Sequence, residues 1–351
     1  MNPLAKKGAE PSALPILKTQ LKEKNLGRLY FFYGEETFLL HHYLEQIKKQ
    51  RIDALTESFN YHKFNSENFD IRTFADAVEN LPMMAEFTMV CVDNVDIFKM
   101  NEADREAMTD ILSDIPEYCT VVFVHDTGAW SPDKRLKKLW TAVDHNGLLV
   151  EFAKQDQRDL VSWITRHFAA NQKRIAPELC VYLIELTGGT MTALAGEIAK
   201  ISAYSAADTI VRSDIDAVTE PVLDAVAFRM TDYLTQGQYG PALLELRRLM
   251  KMQEEPIRVL GAIGKQFRSL GVAKTLEDHG RPASELSQLQ GISEYAAKKA
   301  MQTARKLSAT FCGRILELIM DTDRAMKTSL DDNERLLEVL IFRISQEARY
   351  G

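Results

Sequence analysis

No two cysteines in this chain stand at C-x-x-C spacing: Cys91, Cys119, Cys180 and Cys312 lie far apart in sequence. They read as reduced core residues of a cytoplasmic protein and argue against a disulfide scaffold. No apolar run reaches the length needed to cross a membrane. The opening stretch, Met1 to Pro15, lacks the apolar core of a signal peptide; this polar, proline-containing lead-in is expected to be poorly ordered. Internal repeats and low-complexity segments are missing too. There is no G-x-S-x-G elbow, and no cysteine sits in a catalytic signature. Among seven histidines the one grouping is His41-His42 with Glu45. His42 and Glu45 are helix neighbours, but no third ligand is near and His41 faces another side, so a surface helix is expected rather than a metal site. No catalytic residue, metal or cofactor is expected.

What is present describes an ordinary globular chain. At 351 residues it has room for two or three domains, and 46% apolar with 26% charged residues is the usual balance. The net charge of −7 argues against a protein coated in nucleic acid. That charge is unevenly spread: residues 245–351 hold 18 Lys and Arg against 15 Asp and Glu, so residues 1–244 carry 25 against 35.

Residues 28–152 alternate between two periods. Short β-rich runs occur at 28–33, 59–64, 87–92, 120–125 and 148–152, and helical patterns fill about 36–51, 70–82, 102–114 and 132–143. This alternation predicts an α/β domain with a parallel sheet covered on both faces. Ligand sites in such sheets gather at the C-terminal strand ends, which here places Gly34, Asp93-Asn94 and His125-Asp126 on one edge. After Phe152 the strand signal stops. Three helical stretches over 156–219 predict a small bundle, and residues 221–351 are helical too. Their stripes are Leu260, Ile263, Phe267 and Leu270; Phe311, Ile315, Leu318, Ile319 and Met326; and Leu336, Leu337, Leu340, Ile341 and Ile344. The turn at Thr219-Glu220-Pro221 and the polar stretch around 278–293 are candidate linkers.

The turn after the first run carries the strongest signal. Arg28 to Tyr33 is followed by Gly34-Glu35-Glu36-Thr37-Phe38-Leu39-Leu40-His41. Strand, glycine turn and helix are the setting of a P-loop, which needs G-x-x-x-x-G-K-[ST]. Here Leu39 stands at the second glycine, and Leu40 and His41 replace the lysine and the hydroxyl. Glu35 and Glu36 repel phosphates, so no ATP binding is expected. Asp93-Asn94 occupies the place of a Walker B acid, but Asn94 cannot take a proton from water, and an ordinary strand-end turn is expected there.

Several further stretches give the chain a family likeness. They are Gly34-Glu35-Glu36, Leu186-Thr187-Gly188-Gly189 leading into Leu194 to Lys200, Ala225 to Phe228, Ala242 to Leu246, Glu255 to Leu260, and Gln266-Phe267-Arg268. With them the chain resembles the AAA+ clamp-loader family, and within it the delta-subunit family of bacterial DNA polymerase III, over nearly its whole length. The resemblance implies an AAA+-like parallel-sheet domain (1–152), a small helical lid bundle (153–219) and an all-α collar domain for oligomerisation (220–351). It implies a subunit of the polymerase holoenzyme that does not hydrolyse ATP itself, and that binds and opens the sliding clamp (beta) for loading on primed DNA. Implied partners are the clamp, delta-prime and tau/gamma. By the same resemblance the clamp contact falls on Leu81-Pro82-Met83-Met84, with Met83 and Met84 in place of an apolar pair that usually includes an aromatic. A Met-Met pair is ordinarily core packing; the resemblance and Pro82 favour exposure instead. Methionine fills irregular apolar pockets. The family's loader encloses DNA, which gives the basic groups Arg247-Arg248, Lys251, Lys298-Lys299 and Arg305-Lys306 a phosphate-facing reading beside plain surface charge. The alternative, an active AAA+ ATPase such as a loader motor subunit, needs the lysine and acids that this sequence lacks.

Overall fold

A computed structural model describes residues 13–350 apart from Ser293 and Leu330. The chain divides into two compact units at residues 155 and 156. In the first, α1 (Leu14–Glu23) precedes β1 (Leu29–Tyr33), and α2 (Thr37–Arg51) with the single turn α3 (Glu57–Asn60) leads to β2 (Tyr61–Asn65). Next come α4 (Ile71–Glu79), β3 (Thr88–Asp93), a 3-10 turn at Ile97–Lys99, α5 (Glu102–Ser113), β4 (Cys119–His125), α6 (Lys137–Asn146) and β5 (Gly147–Glu151). All strands are parallel, in the order β2-β3-β4-β1-β5.

The period of two decides which side chain goes to which face. Leu29, Phe31, Val90, Val92, Val121 and Phe123 point to one side and pack with Phe74 and Val78 of α4, Met108 and Leu112 of α5, and Leu139 and Val143 of α6. Tyr30, Phe32, Met89, Cys91, Val122 and Val124 point to the other, against Leu17 and Leu21 of α1 and Leu40, Leu44 and Ile47 of α2. Burial on both faces explains the continuous apolar runs. All four cysteines are buried and unpaired, as expected.

Three expectations for this unit need correction. Part of the expected lead-in, residues 1–12, lies outside the described residues, but Leu14 and Pro15 open α1. Pro15 sits where a proline fits a helix start, and the helix is tied down by Tyr30, whose hydroxyl donates to Gln20 Oε1 at 2.8 Å and accepts from Gly27 N–H at 2.6 Å. The helix expected over 70–82 ends at Glu79, short of Leu81, because a residue before proline is pushed out of the helical region. The helix expected over 132–143 runs Lys137–Asn146.

The second unit is built of helices, with one isolated bridge between Arg174 and Thr209. Its first part holds α7 (Gln157–Ala170), α8 (Pro177–Thr187), α9 (Met191–Tyr204) and α10 (Arg212–Val218). Asp156 caps α7, Gly188 ends α8 at φ +75, and Thr190 caps α9. The sequence pattern does not reveal α10, whose seven residues are too few to show a helical period. There follow α11 (Leu223–Thr235), α12 (Tyr239–Lys251), α13 (Pro256–Asp278), α14 (Ala283–Gln290), α15 (Glu294–Ala304), α16 (Ala309–Thr328) and α17 (Asn333–Tyr350). The three apolar stripes, apart from Leu336, meet in one core that runs from Val226 to Ile344 and takes no residue from α7–α10. The expected linker around 278–293 contains α14, with Leu286 fully buried.

Phe31 lies between Phe123 and Trp130 with ring centroids 4.7 and 5.7 Å away. Phe31→Ala is expected to lower stability by about 3–5 kcal/mol, measured as a shift of the urea midpoint at unchanged slope.

Candidate functional site

The turn between β1 and α2 is closed by the chain itself. The Glu36 N–H donates to Phe152 O at 2.9 Å, and the Phe152 N–H donates to Tyr33 O at 2.7 Å. Gly34 has φ +128, and a Cβ there would lie 2.4 Å from the Phe152 carbonyl oxygen. Only glycine fits this approach. One backbone donor of the P-loop-shaped turn is therefore committed to Phe152. The N-terminus of α2, the end of a helix that attracts anions, is already faced by the protein's own Glu36 carboxyl, which is buried. Burial pushes that carboxyl up, while the Phe38 N–H and the Lys154 ammonium pull it down.

The neighbouring strand ends are tied together in the same way. Asn94, at φ +56, donates through Nδ2 to Asp126 Oδ1 at 2.7 Å and accepts through Oδ1 from the Asp126 and Thr127 N–H groups and the Thr127 hydroxyl. His41 Nε2 lies 3.0 Å from Asp126 Oδ2. Asp93, at the Walker B position, pairs with Lys63 at 2.8 Å and accepts from Cys91 Sγ at 3.3 Å. The sequence placed Gly34, Asp93-Asn94 and His125-Asp126 on one edge, and they lie at the C-terminal strand ends, where Asn94 and Asp126 are bonded to each other and Asp93 to Lys63. Among the described residues no three His, Cys, Asp or Glu side chains gather as a metal site would need. His125 stacks on Trp130 at 4.4 Å, and His125 Nε2 and Trp130 Nε1 are buried without a hydrogen-bond partner. Burial holds the His125 imidazole down to about 4 from the usual 6.5.

The segment after α4 is of the opposite kind. Leu81 is 73% exposed, Met83 55% and Met84 95%, with Pro82 half-buried. The methionines are not core, and they stand on an irregular turn beyond the end of α4 rather than on the helix itself. That turn is held in place. Asn60, fully buried, accepts from Met83 N–H through Oδ1 at 2.7 Å and donates through Nδ2 to Met83 O at 2.9 Å and to Thr56 O at 3.2 Å. Each such bond contributes about 0.5–1.5 kcal/mol net. Tyr118 Oη donates to Glu79 O at 2.7 Å, and the Arg51 guanidinium lies 4.0 Å over the Phe87 ring. Met84 takes φ +52, a left-handed conformation unusual for a long side chain. Sequence reasoning missed Asn60, which it read as part of a strand. The available signal was an amide set between two aromatics, Phe59 and Tyr61.

In the second unit, Lys298, Lys299 and Arg305 pair with Glu294, Asp232 and Glu277. Arg247, Arg248, Lys251 and Lys306 are exposed, with no ion pair among the described residues. A cavity of about 780 Å³ opens beside Tyr182, Glu185, Phe228, Arg268 and Lys299.

Two family models match: the DNA polymerase III delta subunit over residues 30–157, and the C-terminal domain of that delta subunit over residues 224–344. DNA polymerase III subunit delta of Bacillus subtilis is 25% identical over 331 residues, 92% of this chain and 94% of that protein. The Bacillus subtilis DNA clamp loader delta protein shares the fold at a TM-score of 0.66 and 22% identity, over 95% of this chain and 99% of that one.

Gly34→Ala is expected to cost at least about 2 kcal/mol in a denaturant titration, since both the clash and the backbone angle oppose it. His125 gives a pH test. Its folded pKa is depressed, so as pH falls from 6.5 towards about 4 the unfolded chain takes up the proton first and stability is lost. In His125→Phe the fall in melting temperature across that window should be smaller than in the wild type.

Proposed function

The chain belongs to the DNA polymerase III delta-subunit family, and from that premise we propose that it is the non-catalytic clamp-loader subunit that binds and opens the sliding clamp. The observation that carries this reading is the exposed, fastened turn Leu81-Pro82-Met83-Met84, set in a unit whose nucleotide position is closed. Each methionine buried in an apolar pocket contributes about 1.5–3 kcal/mol, enough for the pair to act as the hot spot. A turn fixed in advance by Asn60 loses less entropy on binding than a mobile one. Opening the ring requires that the subunit bind the open form better than the closed one. A rigid apolar wedge that fits a distorted clamp surface supplies that difference.

The absence of intrinsic ATP hydrolysis is supported by the missing lysine, by the Glu36 N–H engaged with Phe152, and by Asn94 engaged with Asp126. Under this reading residues 1–152 bind the clamp, 153–219 form the lid, and 220–351 join delta-prime and tau/gamma in a ring. The separate core of α11–α17 supports that division. Arg247, Arg248 and Lys251, without an ion pair among the described residues, are the side chains we assign to primed DNA. No single described helix is long and apolar enough to cross a membrane, and we place the protein in the cytoplasm with the replication machinery.

The test is binding of the full chain to the sliding clamp of the same organism. Met83→Ala with Met84→Ala should weaken it about 100-fold, near 3 kcal/mol, at an unchanged melting temperature. A loss of stability like that of a core double mutant, or equal binding by both proteins, would remove the docking site.

A further inference from the structure

Large apolar side chains are rarely exposed on the first unit, and all but one of those that are fall on two segments. Among its described residues there are six: Leu55, Phe59, Leu81, Met83 and Met84, with Ile16 as the sixth. Leu81, Met83 and Met84 belong to the turn described above. Leu55 (88% exposed) and Phe59 (56%) belong to the short segment that carries α3. Contiguous exposed apolar groups mark an interaction site more often than single ones do.

The two segments are joined by Asn60. It is the residue after Phe59, and its side chain is bonded to both backbone polar atoms of Met83. With neighbouring Cα atoms 3.8 Å apart and a direct side-chain bridge to Met83, the backbones of Phe59 and Met83 lie within about 10 Å of each other. The α3 segment is itself built to hold its side chains out. Asp53 Oδ1 accepts from the Leu55 N–H at 2.8 Å, and the Phe59 and Asn60 N–H groups both donate to Thr56 O. Asp53, Glu79 and Glu86 flank the two segments, exposed and without an ion pair among the described residues. Of the cations in the last turn of α2, Lys48 is engaged by Glu57 and Arg51 by the Leu26 carbonyl, while Lys49 is exposed.

We propose that the docking surface is made of two segments, with Phe59 supplying the aromatic anchor that the Met83-Met84 turn lacks, Leu55 extending it, and Asn60 acting as the positioning residue that keeps the two in register. The partner this surface fits has an apolar pocket with a basic rim. The inference rests on the clamp-binding reading and names the sliding clamp as that partner. Aromatic side chains are favoured as anchors because they bury much area at little entropic cost. The acidic flank speeds encounter with a basic rim and makes it salt-dependent.

The experiment is clamp binding by the full chain, wild type beside Phe59→Ala, Asn60→Ala and the Met83→Ala/Met84→Ala pair, at low and at high salt, with melting temperatures for each. Phe59 is exposed, so Phe59→Ala tests the proposal even where Asn60→Ala unfolds. The expected result is a loss of about tenfold or more for Phe59→Ala at an unchanged melting temperature, weaker wild-type binding at high salt, and little further loss when Asn60→Ala is added to the methionine pair. Such non-additivity marks a residue that acts through the turn. If the methionine pair weakens binding and Phe59→Ala leaves it intact, the two-segment surface is wrong and the clamp reading stands. If wild type does not bind the clamp at any salt, the clamp reading fails and this inference with it.

Discussion

The backbone of Phe152 lies across the turn after β1, so near to Gly34 that no Cβ fits between them. Two hydrogen bonds fix that approach, one into the turn from Glu36 and one back to Tyr33. They extend the parallel pairing of β1 with β5 beyond the last residues of both strands. Much of the first unit follows from this contact. The start of α2 is set by it, Glu36 is buried at the N-terminus of that helix, and the helix carries His41 to Asp126. From Asp126 the bonds continue through Asn94 and Thr127. A strand edge that serves catalysis in other parallel sheets is here a set of internal fasteners.

A closed edge makes a stiff body, and stiffness suits the role proposed for it. The apolar turn and its neighbour stand on β2, α4 and the start of β3, each anchored in the sheet, and a buried amide joins them. A surface of this kind meets a partner without first having to be ordered. The same design explains why exposed apolar groups are tolerated there: the turn keeps them in a fixed geometry, and Asp53, Glu79 and Glu86 keep water and charge around them.

Much of this was legible in the residues. The alternation of β-rich runs with 3.6-period segments placed every strand to within about two residues, most plainly β1, β3 and β4, whose burial on both faces leaves an unbroken apolar signature. Gly34 after the first β-rich run announced the tight turn between β1 and α2. What the sequence concealed depended on contacts between distant residues. Phe152 looked like the end of a strand, and nothing local tied it to Gly34. Asn60 read as a strand residue because its partner, the Met83 backbone, lies 23 positions away. Leu55 and Phe59 gave no hint of exposure, since an apolar residue in a short segment is normally buried. α10 and α14 were missed or read as linkers because seven or eight residues do not establish a period.

The choice of methionine at the docking turn has a chemical side. Met84 is 95% exposed, so its thioether is open to peroxide, and the sulfoxide is polar and chiral where the thioether is apolar. Such a change would turn an apolar anchor into a group that an apolar pocket rejects, with the fold beneath it intact. Enzymatic reduction of the sulfoxide would restore the anchor. A leucine or phenylalanine wedge has no such reversible state, so under the docking role proposed above a methionine wedge would couple the grip on the partner to the oxidant level around it.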